Sequence, residues 1–559
     1  MKKSLKGVSA PENLQMEKAG TFADPEINTN CRRAWNRRDY ITLSVFVILA
    51  LLLTAVPFSN IGRETEHRLA FTYLIDNDFL QHSAIAAEIA KGIPPQNIYF
   101  SGEAFQYHWL SHVFPAFIYL ASGRTFAVND ILVWVLRCYT ILFVCMLFSV
   151  ARAFFERAKI QSLVMFLALC AYSYNSIYIA FRPLIQSLGS QFSWVENFAH
   201  FSNASNGYLR SFIVEPHALL AASAMLAVIG ILHEHSYVPK DKPASVLLGL
   251  LFGTALGIEG FIGMTMILWY CANYLYIIAS GRISRSKKSD RYAEPARRWQ
   301  EFLISMFVAL VVVLTLFLLK IFTFKTGVLL LKPYIMIIAL APVYFLLEYG
   351  PLSILAIVGV VLYLRRRTIP NLTPVFLLGL ISVGLIFFVR HFAEPNHVLI
   401  RSGKILQIPL LLFSGVCLNH YLGEKRSSQF LILLSGVLVP GLLTLAADIY
   451  SFSDIRNASN TTYVSQRDYK AARWIRDNTP LEAVVQSKPG YRSVLNPGNP
   501  FFEYSLISMF AERRMAIGDS LHAFIYHIGR QRQMERERDI EDMFATSDVG
   551  VSAKIMGTQ

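Results

Sequence analysis

The chain is poor in charge: 16% of its 559 residues are Asp, Glu, Lys or Arg, against 54% hydrophobic ones, and its mean hydropathy is +0.41. That length would make three or four soluble domains at roughly 150 residues each, but a soluble fold cannot keep such apolar runs out of water. Cysteine is scarce too. Cys138, Cys145, Cys170, Cys271 and Cys417 lie inside apolar segments and Cys31 in the basic N-terminal tail, which excludes a disulfide framework and a zinc knuckle. There is no internal repeat and no low-complexity linker. The first apolar run lacks a small-residue cleavage site, so it is expected to be a retained span rather than a removed signal peptide. Acidic residues are outnumbered, 38 Asp and Glu against 52 Lys and Arg for a net +14. The excess cations cluster in short loops between apolar runs, which is a topology signal and implies no nucleic-acid partner.

What is present is a series of bilayer-length apolar segments: 40–58, 130–151, 160–181, 212–233, 244–258, 261–279, 301–322, 351–364, 372–389, 404–421 and 430–448. They predict a polytopic α-helical membrane protein of about 11 transmembrane helices, two of them short. Arg32, Arg33, Arg37 and Arg38 precede the first span and put the N-terminus in the cytoplasm. Arg152, Arg157 and Lys159, the run Arg282 to Arg298, Arg365 to Arg367, and Lys425 with Arg426 then all fall on the cytoplasmic side. Counting Phe105 to Ala121 as a further span would break this agreement, so it is expected as an amphipathic helix on the outer surface. Segment 329–347 is read the same way, and either piece can instead be re-entrant. The expected organisation is a cytoplasmic tail (1–38), a membrane domain (39–450) with a first outer loop of about Asn60 to Asn129, and a C-terminal extracytoplasmic α/β domain (451–559). Within the last, a helix is expected over Asp468 to Asp477 and a charged, solvated one over Arg530 to Phe544.

The first outer loop carries Asp76-Asn77-Asp78-Phe79-Leu80-Gln81-His82, then Lys91-Gly92 and Pro94-Pro95. On a helix starting near Asp78, Asp78 and His82 share a face. Asp76 and Asp78 are candidate hard-oxygen ligands for a divalent cation, Mg2+ or Mn2+, or one of them is a proton acceptor. Equally, Asp78 can serve as a helix cap. Further on, Tyr107-His108-Trp109 with His112 reads either as an interfacial anchor or as a pair of metal-ligating histidines four apart. Later outer loops hold charge where topology predicts little: Arg210, Glu215 and His217 before the 212 span, and Arg390, His391, Glu394, His397, Arg401 and Lys404 after 389. Such cations either bind an anion such as a lipid phosphate or snorkel to headgroups.

In this order, an aspartate opening the first outer-loop helix, a glycine, a proline break, an aromatic helix, many spans and an outer C-terminal region resemble the membrane-integral GT-C glycosyltransferases. The branch of lipid-linked aminoarabinose and mannosyl transferases is the nearest in pattern, with Asp78, Gly92, Pro94, Pro95, Tyr107 and Trp109 in matching places. Where that branch has Asp-Glu followed by Tyr, this chain has Asp78-Phe79 and His82. The stretches Ala472 to Pro480 and Glu512-Arg513-Arg514 are similar to outer domains of bacterial members of the superfamily. The resemblance implies sugar transfer from a polyprenyl-phosphate or polyprenyl-diphosphate donor to a glycan, lipid or protein acceptor at the outer face of the cytoplasmic (inner) membrane, among its lipids. It makes Asp78 the base, assisted by Asp76, with His82, Tyr107, His108, Arg210, Arg390, His397, Arg401 and Lys404 around the substrates. The rival readings are a transporter or flippase using Glu259 and Glu348, and an envelope assembly scaffold.

Overall fold

The computed structural model describes residues 34–72, 78–105, 108–174, 212, 215–235, 239, 241–280, 293–321, 329–366, 372–391, 395–422, 427–456, 461–487, 507–518, 523, 528–548, 550, 552 and 554. Residues 1–35 and 36–559 form two units, and all the described helices and strands belong to the second.

Helix α1 (Arg37–Ser59) opens with a capping box in which Asn36 and Asp39 satisfy each other's backbone N–H. After it come β1 (Ile61–Glu64), β2 (Arg68–Thr72), α2 (Asp78–Ile89), a 3₁₀ turn at Leu110–His112, α3 (Val113–Ala121), α4 (Val128–Phe154) and α5 (Ala158–Cys170). The membrane region continues through α6 (Pro216–Glu234), α7 (Lys242–Ile258), α8 (Gly260–Ala279) and α9 (Ala293–Leu318). It ends with β3 (Leu329–Leu331), α10 (Ile335–Ala339), α11 (Ala341–Arg366), α12 (Thr373–Phe388), β4 (Val389–His391), α13 (Pro395–Tyr421) and α14 (Ser427–Ser453). The C-terminal segment has β5 (Thr461–Ser465), α15 (Gln466–Asn478), a π-turn at Ile507–Ala511 and α16 (Arg530–Ala545).

Eight helices among the described residues, α1, α4, α6, α8, α9, α11, α13 and α14, are long and apolar enough to cross a bilayer. Three more of the eleven expected segments fall on the shorter apolar helices α5, α7 and α12. Helix α5 ends at Cys170, with Ala171 as its C-cap, α7 breaks at Glu259, and α12 turns into β4. The short span expected at 351–364 is corrected: its helix begins at Ala341 and passes through a kink at Gly350, whose φ of +42° precedes Pro351. Part of the segment expected on the outer surface thus belongs to that helix. Over 110–121 the chain forms the 3₁₀ turn and α3, which bury Pro115, Ala116 and Tyr119 and expose Phe114, Phe117 and Leu120.

The helices pack by removing side chains where backbones must meet. Gly249, Gly253 and Gly257 recur at every fourth position of α7 and face α9. A Cβ on Gly253 would lie 2.4 Å from Val312 Cβ, so the two helices approach only because glycine stands there. At one end of the bundle Arg152 of α4 pairs with Asp39 of α1 at 3.1 Å, and at the other Asn60 Nδ2 donates to the Ser453 carbonyl at 3.2 Å.

Strand β5 pairs antiparallel with β2, Ala70 opposite Tyr463, to give a three-stranded sheet in the order β1-β2-β5. The segment after 451 is therefore joined to the first loop through a shared sheet. It is also stitched to residues 98–101, where Ser101 N–H donates to the Met515 carbonyl at 3.0 Å and Gly518 N–H to the Tyr99 carbonyl at 2.8 Å. Arg513 closes the end of α15, donating to the Thr479 carbonyl at 2.8 Å and to the Arg476 carbonyl. The five cysteines among the described residues are free thiols.

Candidate functional site

Glu259 is the one extended residue between α7 and α8, with φ −150° and ψ 99°. Its N–H still bonds the Ala255 carbonyl at 2.8 Å, so it ends one helix and begins the next. Pro216 starts α6 with the fixed φ that suits a first helical position, leaving Glu215 as the cap residue and His217 in the first turn. Glu215 thus sits at a positive helix end, which favours negative charge, while Glu259 lies between the negative end of α7 and the positive end of α8. Each is at least 95% buried.

Around them the chain places cationic or titratable groups from other elements. His108 Nε2, just before the 3₁₀ turn, is 2.8 Å from Glu259 Oε2, and His217 Nε2 is 3.4 Å from the same oxygen. Arg401 of α13 spans both acids, its Nε 3.6 Å from Glu259 Oε1 and its Nη1 3.5 Å from Glu215 Oε2. Lys404, three residues on and so on the same helix face, meets that Glu215 oxygen through Nζ.

A second layer of imidazoles backs the first. His82 of α2 has Nδ1 2.8 Å from His112 Nε2, and its ring centroid is 5.1 Å from that of His217. Ser111 Oγ lies 3.1 Å from His112 Nδ1. Burial, with His112 and Arg401 next in effect, holds the His82 ring well below the usual histidine range, opposed only by Glu259. His112 is pushed to about 3 by burial and by His108 beside it, against the Trp109 carbonyl. Burial thus disfavours the charged form of both rings.

His108, His217 and Glu259 offer ligand atoms within 4.8 Å of one another. Tetrahedral bonds of about 2.1 Å separate neighbouring donors by about 3.4 Å, close to the 2.8 and 3.4 Å found between the imidazole nitrogens and the carboxylate oxygen. Two imidazoles and one carboxylate are a donor set that suits a divalent ion.

Of the residues expected from sequence, His82, His108, Arg401 and Lys404 meet in this cluster. Arg390 is engaged elsewhere: it donates to the Pro333 carbonyl at 3.0 Å and lies 3.5 Å over the Tyr334 ring. Asp76, Tyr107 and Arg210 lie outside the described residues, and so do the side chains of Asp78, which opens α2, and of His397 in the first turn of α13. The histidines four apart, His108 and His112, face different partners because the chain between them is not one regular helix. Sequence reasoning notes Glu215, His217 and Glu259 without assigning them to one site. The available signal is an ionisable residue at the junction of two apolar segments, which is costly without a purpose. Beside Lys404, a small cleft walled by Ala218, Leu219, Met225, Ile262 and Ile405 runs between α6, α8 and α13.

No protein-family model matches the chain, and no curated protein sequence does. Among solved structures it is similar to the Archaeoglobus fulgidus oligosaccharyltransferase in complex with Zn and sulfate, at 12% identity and a TM-score of 0.51 over 85% of this chain and 62% of that one. Two further structures from that organism also match. One is the oligosaccharyltransferase AglB with an inhibitory peptide and a dolichol-phosphate, at 14% identity and TM-score 0.43 over 86% and 65% of the two chains. The other is the enzyme tethered to an acceptor peptide containing the NVT sequon, at 12% identity and 0.45 over 86% and 64%. This chain spans less than two thirds of the length of each. At that identity the likeness is one of fold, carried by the first structure.

Proposed function

We propose that this chain is a GT-C-type glycosyltransferase that moves a glycan from a polyprenyl-phosphate or polyprenyl-diphosphate donor to an acceptor at the outer face of the cytoplasmic membrane. The observation that carries this reading is the buried cluster of His108, His217 and Glu259 beside Arg401 and Lys404, on a fold like that of an oligosaccharyltransferase. Two carboxylates there face two cations, so charge is balanced without substrate, and a bound divalent ion leaves a surplus that an anionic leaving group matches. Lys404 stands where the apolar cleft meets these charges, as suits a phosphate with a prenyl chain.

In this mechanism Asp78, at the start of α2 and one turn before His82, takes the proton from the acceptor, with Asp76 assisting. Arg401 and Lys404 hold the phosphate while the glycosidic bond to it breaks, so that negative charge grows where cations are already placed. Direct attack at the anomeric carbon inverts its configuration. His108, His217 and Glu259 would hold a divalent ion; Asp76 and Asp78 remain candidates to complete its shell. Such an ion would supply charge stabilisation at the phosphate oxygens. Two imidazoles and one carboxylate suit Zn2+ or Mn2+ better than Mg2+, which prefers oxygen. Residues 39–450 make up the transferase domain in this reading, and 451–559 the region that covers it from outside and meets a protein, lipid or glycan acceptor.

The test is transfer from radiolabelled polyprenyl-phosphate sugars to envelope extract by the purified chain in nanodiscs. Wild type should turn over, and Asp78→Asn and Glu259→Gln should each fall by about a hundredfold or more, the scale of a lost base or charge-stabilising group. Donor binding without turnover, or turnover indifferent to both substitutions, would turn the reading towards a lipid transporter.

A further inference from the structure

Helix α12 is short for a membrane span. Its 16 residues rise roughly 24 Å at about 1.5 Å each, against about 30 Å of hydrocarbon core. It follows closely on Arg365 to Arg367, the cations that mark the inner boundary. Its other end therefore stops about 6 Å inside the core. A helix that ends at such a depth leaves carbonyls without donors where no water replaces them. Two of them are answered by the segment that follows β3: Tyr334 N–H donates to the Phe387 carbonyl at 2.8 Å, and Lys332 N–H to the Phe388 carbonyl at 2.9 Å. The chain then leaves α12 as β4, and two strand residues at about 3.3 Å each cover the remaining distance.

The strand paired with β4 is exposed along its whole length. Leu329, Leu330 and Leu331 of β3 alternate between two faces, yet all three are exposed, Leu331 to 87%. Ile335, just beyond, is 75% exposed, and Phe388 at the end of α12 continues the same apolar surface. In water such a strand would be an edge open to aggregation. Its polar neighbours are cations. Lys332 is exposed beside it, and Arg390 stands opposite Leu330 in the register. Long cationic side chains at this level carry their charge outwards to headgroup phosphates while their stems stay among apolar groups.

We propose that the β3–β4 ribbon, from Leu329 to Ile335, is embedded in the outer leaflet, where acyl chains cover Leu331 and Ile335 and phospholipid phosphates meet Lys332. The ribbon completes the span that α12 leaves unfinished, and it lies in the boundary layer, where headgroup water reaches its free edges. Exposure on both faces of one strand suits a fluid that surrounds it better than a flat protein partner. The proposal rests on the long apolar helices that make the chain a membrane protein, and not on the transfer reading. It also bears on the site, since three residues separate β4 from α13, which carries Arg401 and Lys404. An anchored ribbon limits how far that end of α13 can move from the membrane surface.

The experiment uses the full-length protein in nanodiscs of mixed phosphatidylglycerol and phosphatidylcholine. A photoreactive benzoylphenylalanine replaces Leu331 or Ile335, two exposed positions that tolerate its bulk, and the adducts are read by mass spectrometry after irradiation. Each position should gain the mass of one phospholipid, with fragmentation placing the new bond on an acyl chain. Leu314, exposed on the long helix α9, is the positive reference, and Trp474, exposed on α15, the negative one. The lipid yield at Leu331 should match that at Leu314 and exceed that at Trp474 by about tenfold or more, as acyl chains replace water around the probe. An adduct between two chains would give this face to a second copy, and one within the chain would give it to another segment of the protein. A headgroup adduct alone would lift the ribbon clear of the core, and a yield no higher than at Trp474 would leave it in water; each of these outcomes overturns the proposal. In the same nanodiscs Lys332→Gln should shift the adducts at Leu331 from phosphatidylglycerol towards phosphatidylcholine by about fivefold, the scale of one cation at an anionic surface. An unchanged ratio would sink the phosphate contact.

Discussion

Arg514, near the C-terminal end of the chain, grips Glu88 at the far end of α2 through two nitrogens, Nη2 at 2.6 Å and Nε at 2.7 Å from the same carboxylate oxygen. Glu88 is 2% exposed and also holds Lys91 at 2.7 Å. The helix that begins with Asp78 and carries His82 is therefore held at its other end by a segment more than 400 residues away in sequence.

From that grip, Arg514→Met should destabilise the protein by about 3 kcal/mol, since it leaves a buried carboxylate with a single cationic partner. Transfer activity should fall as α2 loosens. The double substitution Arg514→Met with Glu88→Gln should recover a good part of the stability. Thermal unfolding of the three variants in nanodiscs checks this, and additive losses would mean that the pair is not coupled.

Arg401 reaches two carboxylates on different helices at once. A lysine lacks the planar fork needed to do so. Arg401→Lys should therefore raise the apparent KM for the lipid donor by about tenfold and leave the protein folded. An unchanged KM in a donor titration would remove Arg401 from the site.

One carboxylate oxygen of Glu259 faces both histidines of the candidate metal centre. Glu259→Gln should lower Zn2+ or Mn2+ affinity at least about tenfold, the lower bound seen when even a supporting group of a metal site is lost. Metal content after chelation and readdition, read by mass spectrometry, checks this. Retention of metal by Glu259→Gln would mean that the ion, if bound, sits elsewhere.

The α7 glycines give a structural prediction with a control. A Cβ at Gly249 would lie 2.5 Å from the Ser305 carbonyl oxygen and one at Gly253 would lie 2.5 Å from Val312 Cγ1. Gly253→Val should cost about 2 kcal/mol or more by pushing α7 from α9. Gly230→Ala, on α6 with open space around it, should be neutral or slightly stabilising. Melting temperatures of the two variants decide it.

Much of the architecture is legible before any tertiary contact. A long apolar run has few ways to satisfy its backbone in lipid except as a helix, so its period and length reveal it. The segments at 40–58, 130–151 and 430–448 each fall within a long apolar helix for this reason. Segment 329–347 is harder to read because the kink at Gly350 and Pro351 looks like a break in sequence, although the helix continues through it. The paired aspartates and His82 stand out because polar residues just outside an apolar run are conspicuous. The acids Glu215 and Glu259 are visible too, but nothing local says that residues on separate helices share one arginine.

The sequence by itself determined that this protein lives in a membrane, which segments are helical, and that acids, histidines and cations gather in the parts between them. These properties follow from composition and local period, each a sum over neighbours along the chain. Only the tertiary structure decided that Glu259, set at the break between α7 and α8, meets His108, His217 and Arg401, that Arg390 turns instead to Tyr334, and that His112 faces His82. Those choices depend on which helix ends pack together, and packing is settled by shape and burial between segments distant in sequence, which no local pattern encodes.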